Sequence, residues 1–235
     1  MRATGGLDAA KKVFADPLLG PGGWGAINLE TNCGDHTFAR ALNEAQELLL
    51  FFGYNEAPDR LLGRAASFCM ERAGYNSGGW NDQGLIFFLP NMTWFQPPAF
   101  VHRMINEAWR PHALAVNRST PALPCGEYYA GYTPGPCVSV ASQASDDGLS
   151  ITVQLLNVQP FSTTIHLSFR GATSLVSSLV NASWLQSNNT AAVNTPARPE
   201  GVLPSWRLLD VSKPIHLPRN CFAVFEAAVI HEQKQ

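Results

Sequence analysis

The chain has 235 residues and a formal net charge of −2, with 46% hydrophobic and 14% charged residues. So low a charged fraction excludes a disordered chain, and the near-neutral balance leaves no electrostatic footprint for nucleic acid or an anionic membrane. The longest apolar runs, Leu48–Phe52 and Leu85–Leu89, fall far short of the roughly 18 residues of a membrane span, and the start at Met1 lacks a signal-peptide pattern, so a soluble globular protein is expected.

In chain order, Leu7–Phe14 reads as a short helix stopped by Asp16-Pro17, followed by the loop Gly20-Pro-Gly-Gly-Trp-Gly25. Ala26–Glu30 reads as a buried strand. Asp35 and Thr37 offer caps for a long helix in which Phe38, Leu42, Ala45, Leu49 and Phe52 form a one-sided stripe, ended by Gly53. A second helix is expected from near Pro58, carrying Leu61, Leu62, Ala65 and Cys69 and stopping at Gly74. Leu85–Leu89 is an apolar strand halted by Pro90. A third helix begins at Pro98, buries Val101, Met104, Ile105 and Ala108, and ends before Pro111. All-apolar strands alternating with helices point to a parallel sheet, and two strands alone make no stable sheet, so more of the sheet is expected upstream.

After residue 111 the period becomes two. Leu149, Ile151, Val153 and Leu155 alternate with Ser150, Thr152 and Gln154; Ile165, Leu167 and Phe169 alternate with Thr164, His166 and Ser168. Ile215, Leu217, Phe222 and Val224 continue the theme, and Asp146-Asp147-Gly148 and Arg170-Gly171 are turn signals, which together fit a β-sandwich. Gln186–Pro204 reads as one long loop wrapping that sandwich.

Five cysteines carry no C-x-x-C spacing; Cys125 and Cys137 bracket a loop and either bridge it or stay free in the core. Sequons at Asn91, Asn117, Asn181 and Asn188 lean toward a secretory-pathway glycoprotein without fixing a compartment. Gly20–Gly25 matches G-x-G-x-x-G formally, but it follows a helix and opens a strand, the reverse of a dinucleotide site. The six histidines show no ligand spacing, so neither metal nor cofactor is called for, and His166 and His216 fall on outward strand parity. Glu30 stands at the carboxyl end of an apolar strand. It is either a catalytic group at the mouth of a barrel or an anion facing the next helix N-terminus. Trp24, Trp80, Trp94 and Phe95 suit either sugar stacking or packing; Trp94, in a polar Pro-rich loop after Leu85–Leu89, lies at the same face as Glu30.

Taken together, Glu30, Ala41-Leu-Asn-Glu-Ala45, Gly84-Leu-Ile-Phe-Phe-Leu-Pro-Asn91, Pro97-Pro-Ala-Phe-Val-His102, Asn194-Thr-Pro-Ala-Arg-Pro-Glu-Gly-Val202 and Leu217–Glu226 resemble, in order, the C-terminal part of family 51-type α-L-arabinofuranosidases. The resemblance implies an α+β chain. Residues 1–111 would be the remnant of a (β/α)8 barrel (last two strands with their helices) and 112–235 a β-sandwich. It implies a retaining glycosidase acting on arabinose-containing oligo- or polysaccharides, with Glu30 as nucleophile and Asn91, Trp94, Gln96 and His102 at the substrate. Thr31 stands where the family has an aromatic, and His102 where it has a sugar-contacting Gln.

The family's acid/base Glu belongs to an Asn-Glu pair on an upstream strand, and 111 residues compare with about 250 in a whole barrel. A truncated chain with little turnover is therefore expected. Glu44, Glu47 and Glu107 read as solvated helix residues, and the open edge of Ala26–Glu30 would favour self-association. Rival readings are another retaining barrel glycosidase, acting on xylosides, glucosides or glucuronides, and a non-catalytic sugar-binding or interaction module.

Overall fold

A computed structural model describes residues 26–28, 36–54, 61–64, 70–72, 85–117, 119, 136–170 and 174–230. Strand β1 (Ala26–Asn28) leads through helix α1 (Phe38–Tyr54) to β2 (Leu61–Arg64), which pairs parallel with β1. Strand β3 (Met70–Arg72) pairs parallel with β4 (Ile86–Leu89), and β4 turns back antiparallel onto β5 (Met92–Phe95) before helix α2 (Pro97–Glu107).

The helix expected over residues 58–74 is thus corrected: its described parts are the strands β2 and β3. Short apolar runs such as Leu61-Leu62 satisfy helix spacing and strand length alike, and here a parallel neighbour supplies the backbone partners. The expected helix Leu7–Phe14 lies outside the described residues.

From β6 (His112–Leu114) onward the chain builds a seven-stranded sheet of order β12-β11-β14-β8-β7-β6, with β10 added beside β14. Its strands are β7 (Val138–Ala144), β8 (Ser150–Asn157), β10 (Ser174–Leu175), β11 (Leu179–Gln186), β12 (Ser205–Asp210) and β14 (Cys221–Ile230). A small antiparallel pair, β9 (Thr163–Ile165) and β13 (Ile215–Leu217), forms the second layer of the sandwich. The β7–β8 turn follows the expected Asp146-Asp147-Gly148 signal. Gly148 takes φ 69°, and the Asp147 carboxylate accepts from Leu149 N–H at 2.9 Å and Ser145 Oγ–H at 2.6 Å.

Two cores flank the large sheet. On one face Ile151, Val153, Leu155, Ala182, Trp184, Ala223 and Phe225 meet Ile215 and Leu217 of the second layer. On the other, Ala141, Leu156, Leu185, Phe222 and Val224 meet Phe38, Leu42, Ala45 and Leu49 of α1 and Phe100, Val101, Met104 and Ile105 of α2. Each Val, Leu, Ile, Phe or Met among them contributes about 1.5–3 kcal/mol when fully buried. Because the sheet is covered on both sides, the alternation in β8 separates two buried faces rather than inside from outside. Thr152 and Gln154 are fully buried, and the Gln154 amide donates to Gln143 Oε1 at 3.2 Å. Likewise α1 buries every residue from Phe38 to Gln46, which is wider than a one-sided stripe. His166 and His216 are exposed, as their parity requires.

The segment between β11 and β12 is the expected loop, and it does more than wrap the sandwich. Carbonyls of Ala192 and Thr190 accept the first two N–H groups of α1, from Phe38 at 2.8 Å and Ala39 at 2.7 Å, and the Thr37 hydroxyl caps the third, from Arg40, at 3.2 Å. Asn194, 2% exposed, fastens the same loop to the β4–β5 hairpin. Its Nδ2 donates to Phe95 O at 2.8 Å and Val202 O at 3.0 Å, and its Oδ1 accepts from Val202 N–H at 2.7 Å.

Cys137 is disulfide-bonded, its partner lying outside the described residues; Cys221 is free and buried in the sandwich core. Burial pushes the Cys221 thiol up to about 12. It should therefore stay unalkylated in the native protein at pH 8 and react at once in denaturant, as followed by mass spectrometry. Asn194→Ala leaves the Val202 N–H and the Phe95 carbonyl without their buried partner. The expected cost is about 3 kcal/mol, read as a lower urea midpoint at an unchanged slope.

Candidate functional site

In parallel α/β architectures, ligands collect beyond the carboxyl ends of the strands, where the connecting segments leave room and helix N-termini point. Two such ends are relevant. Glu30 follows β1 by two residues in sequence and, like Trp24 and Trp80, lies outside the described residues. Asn91 sits just beyond the carboxyl end of β4, exposed in the two-residue turn Pro90-Asn91.

Trp94 is not in a loop. The Pro90-Asn91 turn reverses the chain so tightly that residues 92–95 pair with β4, and Trp94 stands directly opposite Phe87. The two rings meet edge to face with centroids 6.0 Å apart, and the His36 ring, at the entry to α1, also meets Phe87 at 4.8 Å. Trp94 is 3% exposed and its indole N–H donates to Asn194 O at 3.0 Å.

Gln96, fully buried, pairs its amide with the Asn194 backbone as a strand would: Nε2–H donates to Asn194 O at 2.9 Å and Oε1 accepts from Asn194 N–H at 3.0 Å. The polar atoms of Trp94 and Gln96 thus serve the junction between hairpin and loop.

His102 lies on the buried face of α2, with Nε2 3.6 Å from Glu44 Oε2 of α1. Glu44 also pairs with Arg40 one turn earlier, and all three are buried. The expectation that Glu44 is solvated is corrected: α2 packs over it, and Arg40 and His102 supply the charge and polarity that make burial of a carboxylate tolerable. The sequence signal was the i,i+4 spacing of Arg40 and Glu44; the third member, on another helix, has no local signature. Glu107 is exposed and pairs with Arg103 at 2.7 Å, as a solvated helix residue should. Glu47 is half-buried.

No protein-family model and no curated protein matches the sequence. Solved structures do match. A family 51 α-L-arabinofuranosidase from Thermotoga petrophila superposes with a TM-score of 0.67 at 14% identity, over 94% of this chain and 46% of that one. The chain has the fold of part of a family 51 α-L-arabinofuranosidase structure. A family 51 enzyme from Bifidobacterium longum matches with a TM-score of 0.64 at 16% identity, over 83% of this chain and 35% of that one. A family 86 β-porphyranase from Bacteroides plebeius matches at 0.58 and 12% identity, over 97% of this chain and 39% of that one. The chain therefore spans less than half the length of these structures, and its class is α+β, as expected.

The Arg40–Glu44–His102 cluster yields a direct test. Glu44→Ala removes a buried carboxylate from the Arg40 guanidinium and should cost about 3–5 kcal/mol in chemical denaturation, whereas the apolar double variant Arg40→Met/Glu44→Leu should recover part of that loss.

Proposed function

We propose that the polypeptide carrying this chain is a retaining glycoside hydrolase of the α-L-arabinofuranosidase type, releasing terminal arabinofuranosyl residues from arabinose-containing glycans, with Glu30 as its nucleophile. The observation that carries this reading is the match of nearly the whole chain, at a TM-score of 0.67, to a family 51 enzyme, taken with a carboxylate two residues past a parallel strand.

In a retaining mechanism two carboxyl groups stand about 5–5.5 Å apart. The ionised Glu30 attacks the anomeric carbon as the aglycone oxygen leaves, forming a glycosyl-enzyme ester. The second carboxyl group protonates that oxygen, then deprotonates the water that hydrolyses the ester. This second group is assigned to polypeptide beyond the 235 residues. Asn91, exposed beyond β4, is assigned to the sugar. Trp94, Gln96 and His102 are assigned as positioning residues, which hold the β4–β5 hairpin and α2 in place through Asn194 and Glu44.

A second reading, a retaining barrel glycosidase acting on another sugar, draws on the similarity to the β-porphyranase. The test uses the longest natural polypeptide containing these residues, assayed on aryl α-L-arabinofuranosides and aryl pyranosides. The furanoside should be preferred, Glu30→Gln should lower kcat/KM by about 10⁴-fold or more, and azide should restore turnover to Glu30→Ala with a glycosyl azide as product. Preference for a pyranoside would favour the second reading, and full activity of both Glu30 variants would remove Glu30 from the chemistry.

A further inference from the structure

At its β12 edge, the sheet face that farther in carries Leu185, Phe222 and Val224 bears an apolar patch that no described element covers. Trp206 is 69% exposed, Leu208 67% and Leu179 52%, whereas the alternate residue Arg207, also exposed, lays its guanidinium over the Trp184 ring on the opposite face, 5.2 Å from its centroid. Side by side on a sheet edge, such residues invite association unless something shields them.

The register of the β11–β12 pair shows what is next to them. Asn181 stands directly opposite Leu208, and Ser183 directly opposite Trp206. Directly opposed residues share a face with Cα atoms about 4.5–5.5 Å apart, and the diagonal neighbour is within reach of an aromatic ring. Asn181-Ala182-Ser183 is an N-glycosylation sequon, and its asparagine is exposed. So are the asparagines of the other three sequons, Asn91, Asn117 and Asn188. The disulfide at Cys137 independently suits the oxidising compartment where such glycans are added.

We propose that Asn181 carries an N-linked glycan whose first sugars lie across Leu208 and Trp206 and shield the β12 edge. In the transfer, Asn181 Nδ2 forms a bond to C1 of the sugar of a polyisoprenyl-diphosphate-linked oligosaccharide. The C1–O bond to the diphosphate breaks, the lipid diphosphate departs with the bonding electron pair, and the amide gives up one proton. The reaction acts on the extended chain before folding, so the later burial of Ser183 is no obstacle. Once β11 and β12 have paired, the C–H face of the first N-acetylglucosamine packs on the indole of Trp206, and its polar edge faces water.

The experiment takes the protein as isolated from the organism that encodes it. Peptide N-glycosidase digestion in ¹⁸O-water followed by peptide mapping should find position 181 converted to ¹⁸O-labelled aspartate; an unmodified asparagine there overturns the proposal. Native deglycosylation should raise acrylamide quenching of tryptophan fluorescence and apolar-dye binding severalfold in the wild type, with little change in Trp206→Ser. No change in the wild type would show that the glycan does not cover the patch. A dimer with Asn181 unmodified, dissociated by Trp206→Ser, would assign the edge to a second copy and likewise overturn the proposal.

Discussion

Among the described residues, the loop that carries one buried amide ties both the hairpin bearing Asn91 and the N-terminus of α1 to the sandwich. Asn194 makes six hydrogen bonds through its backbone and side chain, to Trp94, Phe95, Gln96 and Val202. Its loop also terminates α1 with the carbonyls of Thr190 and Ala192. A buried amide left without partners costs far more than a satisfied one gains, so this junction is all or nothing. It ties the antiparallel sandwich to the β4–β5 hairpin and, through the same loop, to the N-terminus of α1.

That constraint connects packing to function. The β4–β5 hairpin presents Asn91 at its tip, and α1 follows directly on the segment containing Glu30. Both are anchored by the same loop, one through Trp94 and Gln96, the other through the helix N-terminus. The Arg40–Glu44–His102 cluster then fixes α1 against α2. The polar residues that a reader would first assign to substrate are, in two cases out of four, hydrogen-bonded to the Asn194 backbone. A third faces a buried carboxylate.

How much of this was legible depends on range. Thr37 as the cap of α1, the apolar positions of α1 and α2, the β7–β8 turn and the outward parity of His166 and His216 all follow from neighbours within a few residues, and sequence reasoning reaches them. Leu61–Arg64 reads as helix from sequence because the apolar pair Leu61-Leu62 is too short to carry a period of its own. Trp94 reads as a loop residue because its partner strand looks complete without it. Glu44 reads as solvated because the helix that buries it lies more than fifty residues downstream. Asn194 was noticed only as part of a motif; its six bonds reach residues up to 100 positions away, and no local pattern announces them.

The helices and the sandwich stand or fall together through this junction. Native-state hydrogen exchange tests it most directly. The amide protons of Phe38, Ala39, Asn194 and Val202 should open with the same free energy as those in the middle of β8 and β14, showing one cooperative unit. Exchange of the α1 and Asn194 amides at a much lower opening free energy, with the sandwich still protected, would contradict it.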